Sequence, residues 1–360
     1  FRSGLDKIKY DVSLDKLFKE DKQKFIEYNI RDVEILIELD KKLQFIDLTL
    51  NICHLCHVPY ENIYWSTMLN EGAILTYLKR QNIVSMNKPT TINPDLKLTI
   101  GEEYAGGYLK DPIPGLYSDV IDLDFTSLYP SIIRSLNMGV ETLVGNVKIR
   151  DKYDSNWTLL DLKALKPSEK ITIENPKRQI TQITAGKLIE MVEKNKLTIA
   201  ASGGLFRSDK RSVVCDVLSD WFDKRVEYKN LMKDAYKVKK DPVLGEFYNK
   251  RQHAFKIKLN DVYGCFAQNG WRYTDGYKVI SNAITLTGQR LIQESIKEMN
   301  RMINSEIGTE DVDYVITSDT DSMFIRVGDV VKHRWPDLDV NDRDARIAKI
   351  LEVEIGRAHV

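Results

Sequence analysis

Three aspartates stand out for where they sit. Asp124 closes the short alternating run DVIDLDF, while Asp319 and Asp321 lie far along the chain in the polar centre of VDYVITSDTDSMFIRV. In the first run Ile121, Leu123 and Phe125 share one face of a strand, and Asp122 and Asp124 share the other. The second run has two apolar stretches around S-D-T-D-S, the pattern of a β-hairpin with acidic residues at its turn. Neither place wants a carboxylate for packing. Carboxylates brought close together repel unless a cation offsets the cost, and hard oxygen donors of this kind suit Mg²⁺, with substrate phosphates completing its octahedron. Taken alone, D-T-D also reads as a solvated turn. It is not a calcium loop, because the EF-hand spacing needs Gly where Phe324 stands and Glu where Val330 stands.

Complementary cations occur between these acidic positions. Lys256 and Asn260 are four residues apart in one helical pattern, and Arg225 and Lys229 are four apart in another. Each pair therefore projects from one helix face, and together they can grip a ligand with several phosphates. Tyr263 and Gly264 continue the Lys256 face at the next turn, offering a ring and a bare backbone against which a flat base could pack. Singly, each cation is an ordinary solvated side chain. The two helical patterns run from Val217 to about Lys240 and from Leu244 to about Tyr263, and the short joint at Asp241-Pro242 predicts an antiparallel helical hairpin.

The remaining elements have to hold these residues in place. A helix-like pattern extends from Lys22 to Leu50, and another from about Asn62 to Gln81. Pro89, Pro94 and the run YAGGYLKDPIPG, Tyr104 to Gly115, then interrupt the pattern and mark a connector. TSLYPSIIRSLNMG follows Asp124 as a helix with Leu128, Ile132 and Leu136 in a row and Gly139 as its stop. A further helix covers about Ile284 to Met302.

The chain has 360 residues, 42% hydrophobic, and equal numbers of basic and acidic residues, 53 each. That composition predicts a globular protein of two to three domains and excludes a disordered or fibrous chain. With a net charge of zero, any polyanion site must be local. Four cysteines make no disulfide framework, and the polar start FRSGLDKIKY has no apolar core, so a reducing, cytoplasmic setting without membrane insertion is expected. Cys53-His54-Leu55-Cys56-His57 matches the C-x-x-C-H haem pattern, but it lies in an apolar helical pattern with no second cysteine pair, and it is read as packing. Lys233, Lys237, Lys239 and Lys240 form a solvated tip with incidental attraction for phosphates. The terminal IGRAHV, residues 355–360, resembles the translation of a sequencing adapter and is set aside as a scar, an ordinary tail being the alternative.

SLYPS after Asp124, K-x-x-x-N-x-x-Y-G from Lys256 to Gly264 and D-T-D-S from Asp319 to Ser322 stand in this order with wide spacing. They resemble motifs A, B and C of family B DNA polymerases, most of all the replicative enzymes of large tailed phages. YNIRDVEILIELD, with Tyr28 and Asp32, resembles the third exonuclease motif. YAGG, Tyr104 to Gly107, resembles the motif between editing and synthesis modules, and WFDKRVEYK resembles the fingers helix.

This resemblance implies an α/β (α+β) right-hand palm with an antiparallel sheet, helical-hairpin fingers, and before them the C-terminal part of an RNase H-like exonuclease domain. The implied division is 1–44 exonuclease end, 45–103 connector, 104–211 palm with motif A, 212–269 fingers with motif B, and 270–354 palm with motif C. Asp124, Phe125 (through its carbonyl) and Asp321 would hold two Mg²⁺ ions roughly 3.5 to 4 Å apart, with Asp319 close by in a lesser role. Arg225, Lys229, Lys256, Asn260, Ser127 and Leu128 would bind the deoxynucleoside triphosphate. Tyr129 would pack under its sugar where a 2′-hydroxyl clashes. Tyr263, Gly264, Tyr104, Gly106 and Gly107 would contact primer-template DNA, and Tyr28 and Asp32 would be a remnant of 3′–5′ proofreading.

The implied function is template-directed deoxynucleotide addition, by a fragment without a D-x-E exonuclease motif, thumb or clamp-binding tail. A sliding clamp and replisome proteins would engage the missing C-terminal part, and a phage-encoded enzyme would work in the host cytoplasm. Two departures from the family pattern occur: Thr317 and Ser318 stand where Tyr-Gly is usual, and Asp261 where Ser is usual. Two other readings stay open. One is another palm polymerase such as a reverse transcriptase, against which the separated aspartates and Tyr129 speak. The other is a degenerate palm that binds primer-template without chemistry.

Overall fold

The computed structural model describes residues 6–88, 106–148, 159–177, 179–268, 270–274, 278–339 and 342–353. The chain begins with α1 (Leu14–Glu20), α2 (Lys22–Leu43), α3 (Phe45–Cys56) and α4 (Ser66–Arg80). Strands β1 (Leu109–Lys110) and β2 (Val120–Asp124) lead into α5 (Leu128–Leu136). Then come β3 (Leu143–Lys148), α6 (Leu159–Ala164), β4 (Lys170–Glu174), β5 (Ile180–Thr184), α7 (Ala185–Lys194), β6 (Leu197–Ile199) and β7 (Gly204–Arg207). Long helices α8 (Val213–Asp234), α9 (Pro242–Phe266) and α10 (Val279–Ile307) follow, then β8 (Val315–Asp319), β9 (Ser322–Arg326), α11 (Gly328–Arg334) and α12 (Arg343–Glu352).

The chain divides into two units, residues 1–73 with 223–258, and residues 74–222 with 259–360. The first is helical. Ser13 and Asp21 cap α1 and α2 by accepting from the amides of Lys16 and Lys24, the role expected of short polar side chains at a helix start. The pattern predicted as continuous from Lys22 to Leu50 is broken. Gln44 turns left-handed at φ 53° and ends α2, so Phe45 opens a new helix, and a hydrophobic period cannot reveal such a single-residue reversal. The C-x-x-C-H segment lies at the end of α3 with Cys53 and Cys56 both buried. The descending part of α8 and the ascending part of α9 form the predicted hairpin, joined through a π-turn at Ala235–Lys239 and Lys240 at φ 51°. Asp241 caps α9 by accepting from the Leu244 amide at 2.9 Å.

The second unit is built on two antiparallel sheets, ordered β1-β8-β9-β2 and β5-β4-β3-β7-β6. In the first, the predicted alternation decides which face is inside. Ile121, Leu123 and Phe125 pack with Val315, Met323 and Ile325 against Ile292, Ile296, Met299 and Ile303 of α10. Period two then forces Asp122 and Asp124 onto the opposite face, where both are exposed. The second sheet packs Val147, Ile171 and Leu205 on Leu162, Leu188 and Val192 of α6 and α7. The predicted stop of α5 at Gly139 is corrected to Asn137, which takes φ 56° and donates its amide to the Ile133 carbonyl. Its buried side chain makes that conformation worthwhile: Nδ2 donates to the carbonyls of Arg207 and Lys210, and Oδ1 accepts from the Ser212 amide. No helix among the described residues is long and apolar enough to cross a membrane.

Candidate active site at the end of the four-stranded sheet

The site begins with main-chain geometry. Asp124 pairs across the ladder with Ser322, and Ser322 pairs in turn with Asp319, so the three lie in one row across β2, β9 and β8. Directly paired residues project to the same face of a sheet, so Asp124 and Asp319 share the exposed one. Asp321 occupies the turn beside them. Its carbonyl accepts from the Phe125 amide at 2.8 Å, and its own amide donates to the Asp319 carbonyl at 2.6 Å. Thr320, between the two aspartates, is held left-handed at φ 57°, a conformation costly for a β-branched residue.

Neighbouring segments hold that turn. The Thr320 amide donates to the Tyr108 carbonyl at 2.9 Å and its Oγ1 donates to Asp319 at 2.9 Å. A Cβ on Gly107 would collide with the Thr320 side chain, whereas one on Gly106 would meet open space. Gln289 of α10 donates to the Gly106 carbonyl at 2.8 Å. Gly106 and Gly107 are thus physically tied to the aspartate turn, while Tyr104 lies outside the described residues. Of the two departures in the hairpin, Thr317 donates Oγ1 to the Lys110 carbonyl at 2.9 Å, and Ser318 is buried at 2% exposure.

Aromatic residues close one side. Tyr129, at the start of α5, lies with its ring 4.4 Å from that of Tyr263 on α9, tilted by 34°. Burial pushes its phenol up to about 12, with Tyr263, Asp321 and Asp319 adding to the shift, so the hydroxyl keeps its proton and feels the carboxylates. Ser127 enters α5 in a left-handed conformation, and Leu128 buries its side chain, leaving only its main chain for a ligand. Gly264 has open space where a Cβ would be, and Asn260 is exposed. Tyr263, Gly264 and Asn260 belong to the same unit as the carboxylates.

Arg225, Lys229 and Lys256 belong to the other unit. There Tyr228 stacks on Phe255 at 5.8 Å and approaches Tyr248 at 6.2 Å, so an aromatic seam joins α8 to α9 next to these cations. Arg251 lies over the rings of Phe247 and Tyr228. Desolvation lowers the pKa of half-buried Arg225, yet a guanidinium keeps its charge; Lys229 and Lys256 are exposed. In the same unit Tyr28 and Asp32 are one turn apart on α2. The hydrogen bond from Tyr28 to Asp32 raises the phenol strongly, and Lys7 stands 4.0 Å from the carboxylate.

Among the described residues no three His, Cys, Asp or Glu side chains form a ready metal cage. Asp124, Asp319 and Asp321 bring carboxylates to this edge, a partial set of hard oxygens. Mg²⁺ is held by such sets when substrate phosphates and water complete the shell, so the residues present fit the ion. Sequence reading missed Thr320, Gln289 and Gly288 as parts of this site; the signals were a β-branched residue between two turn aspartates and a glycine inside a helical pattern.

Comparison with known proteins places the chain in a family. The family model for DNA polymerase family B matches residues 64–335. The DNA-directed DNA polymerase of Escherichia phage RB69 is 26% identical over 354 residues, covering 92% of this chain and 37% of that protein. The DNA-directed DNA polymerase of Enterobacteria phage T4 is 24% identical, with 91% and 37% covered. The solved family B DNA polymerase of Pyrobaculum calidifontis shares the fold, with a TM-score of 0.53 and 21% identity over 88% of this chain and 34% of that one. The chain spans little more than a third of the length of the phage relatives it matches. With residues 64–335, most of its length, inside the family model, the chain belongs to DNA polymerase family B.

Proposed function

We propose that this chain carries the palm and fingers of a DNA-directed DNA polymerase, adding deoxynucleotides to a primer 3′-hydroxyl on a DNA template. The observation that carries the reading is the row Asp124–Ser322–Asp319 with Asp321 beside it, an exposed acidic edge at the end of a sheet otherwise packed on its apolar face. Asp124, Asp321 and the Phe125 carbonyl would hold two Mg²⁺ ions, and Asp319 would assist. Bound there, the metal would supply Lewis-acid activation of the 3′-hydroxyl and charge for the leaving pyrophosphate. Arg225, Lys229, Lys256 and Asn260 would bind the triphosphate, together with the main chain at Ser127 and Leu128. Tyr129 would lie beneath the sugar, and Tyr263, Gly264, Gly106 and Gly107 would meet the primer-template, as would Tyr104.

The proposed divisions are 1–44 from an exonuclease domain, with Tyr28 and Asp32 as its trace, 45–103 a connector, 104–211 and 270–354 palm, and 212–269 fingers. Partners would be DNA, deoxynucleoside triphosphates and, through parts of the longer relatives that this chain does not span, a sliding clamp and replisome proteins. Its place of work would be the cytoplasm, the host's if phage-encoded. A second reading, a palm that binds primer-template without chemistry, draws on buried Ser318 and on Thr317 in motif C. The test is the purified chain with labelled primer-template, Mg²⁺ and deoxynucleotides at low salt. Single-nucleotide addition abolished by Asp124→Ala and by Asp321→Asn, with DNA binding retained, is expected. Binding without addition supports the second reading, and addition that survives both substitutions overturns the first.

A further inference from the structure

Glycine is the residue a helix interior accommodates worst among ordinary ones, because it loses the most backbone freedom on ordering. Gly288 nevertheless lies buried within α10, a helix of 29 residues. Its surroundings supply a reason. A Cβ there would meet Cε1 of Tyr129 at 2.9 Å, with Cδ1 of the same ring and Cδ2 of Leu128 at 3.5 Å each. The Tyr129 ring therefore lies on bare α10 backbone while stacking with Tyr263 at 4.4 Å.

We propose that Gly288 is a positioning residue for sugar discrimination: by bearing no side chain it lets the Tyr129 ring lie back against α10, and so sets the room left for a deoxyribose. The proposal rests on the reading of Tyr129 as the residue beneath the sugar. Neither helix can easily yield to an added methyl. Leu128, Pro130, Ile132 and Ile133 bury α5, and Ile284, Ile292 and Ile296 bury α10. The ring is the part that can move; displaced from α10 it would disturb its contact with Tyr263 and take up room beside Asp319 and Asp321, which are near enough to act on its phenol. That narrows the space over the acidic edge where the nucleotide would sit.

A double-mutant cycle with Gly288→Ala and Tyr129→Ala in the 360-residue chain tests this. Thermal unfolding reads the contact without any activity. Gly288→Ala alone should lower Tm by a few degrees, whereas in the Tyr129→Ala background it should raise Tm, as relief of a helical glycine does when nothing clashes. If Gly288→Ala alone is too unstable to purify, its recovery by Tyr129→Ala gives the same answer. A Tm shift of equal sign and size in both backgrounds overturns the proposal. Single-nucleotide addition reads the positioning role. Gly288→Ala should raise the deoxynucleotide KM by about threefold or more with kcat within about twofold, and should lower the ratio of ribo- to deoxynucleotide use. Both effects should vanish when residue 129 is alanine. If Tyr129→Ala raises that ratio and Gly288→Ala leaves it unmoved, the role of Gly288 alone fails. If Tyr129→Ala leaves the ratio unchanged, the sugar reading fails and the proposal falls with it.

Discussion

The Phe125 amide donates to the Asp321 carbonyl at 2.8 Å, carrying the β2–β9 ladder one step beyond its last residue pair, Asp124 opposite Ser322. Without that bond the end of β2 would leave a buried-side strand terminus to fray. With it, main-chain bonds fix where Asp124 and Asp321 stand relative to one another. The turn that presents Asp321 depends in its own right on Thr320 holding a left-handed conformation.

Gly107 should therefore be intolerant of a side chain. Gly107→Ala drives a methyl into the Thr320 side chain and is expected to cost about 1–3 kcal/mol of stability. Gly106→Ala meets open space and should stay within about 0.5 kcal/mol. Urea unfolding of the two variants side by side checks the contrast; equal costs would remove the contact as the cause.

Asn137 should be a stability determinant of the segment leading into α8. Asn137→Ala leaves the carbonyls of Arg207 and Lys210 and the Ser212 amide without their partner and adds left-handed strain, an expected loss of about 2–4 kcal/mol. Asn137→Gly should recover part of it, because it removes the strain alone. Denaturant midpoints for both variants decide the point.

Tyr129→Ala should raise the ratio of ribo- to deoxynucleotide incorporation by on the order of tenfold or more. Tyr129→Phe should keep discrimination near wild type, since the ring is retained and the hydroxyl, with its pKa pushed up to about 12, carries no charge to lose. Competition between the two nucleotides in single-turnover addition gives the ratios directly.

Alkaline pH should weaken the fold partly through Cys215. Its thiol donates to the carbonyls of Ile133 at 3.1 Å and Met138 at 3.5 Å, and burial pushes it up to about 12 from 9.0. In the unfolded chain the thiol ionises near the ordinary value, so its contribution is complete below pH 9 and is lost as pH rises toward 12. Cys215→Ala should flatten the decline of the urea midpoint between pH 9 and 11. An unchanged slope would contradict the burial argument.

Much of the local structure was legible because it follows from periodicity. Alternation in DVIDLDF and in the two arms around S-D-T-D-S predicts a strand and a hairpin, and both form, with the apolar face turned to α10. The long helices and the joint at Asp241-Pro242 follow the 3.6-residue period and the proline rule, although α10 runs from Val279 to Ile307, beyond the predicted limits. Single-residue reversals were not legible. Asn137 adopts a left-handed conformation because of what its side chain bonds, Gln44 reverses the chain with only its main-chain amide bonded to Asp40, and Gly139, the more obvious stop by composition, instead leaves space filled by the Ser212 side chain. The five-stranded sheet from Leu143 to Arg207 gave no clear signal of its own.

For the site the division is sharper. Residue types and spacing by themselves determined that a strand ends on Asp124, that a hairpin turn carries Asp319 and Asp321, and that Arg225 with Lys229 and Lys256 with Asn260 each share a helix face, because each of these is local. Only the tertiary structure decided that Asp124, Ser322 and Asp319 form one row, that the Tyr129 ring lies against that of Tyr263, and that Thr320 and Tyr129 occupy the space a Cβ on Gly107 or Gly288 would need. Those relations join residues far apart in sequence, and a distance between them exists only after register, helix packing and excluded volume have been settled together.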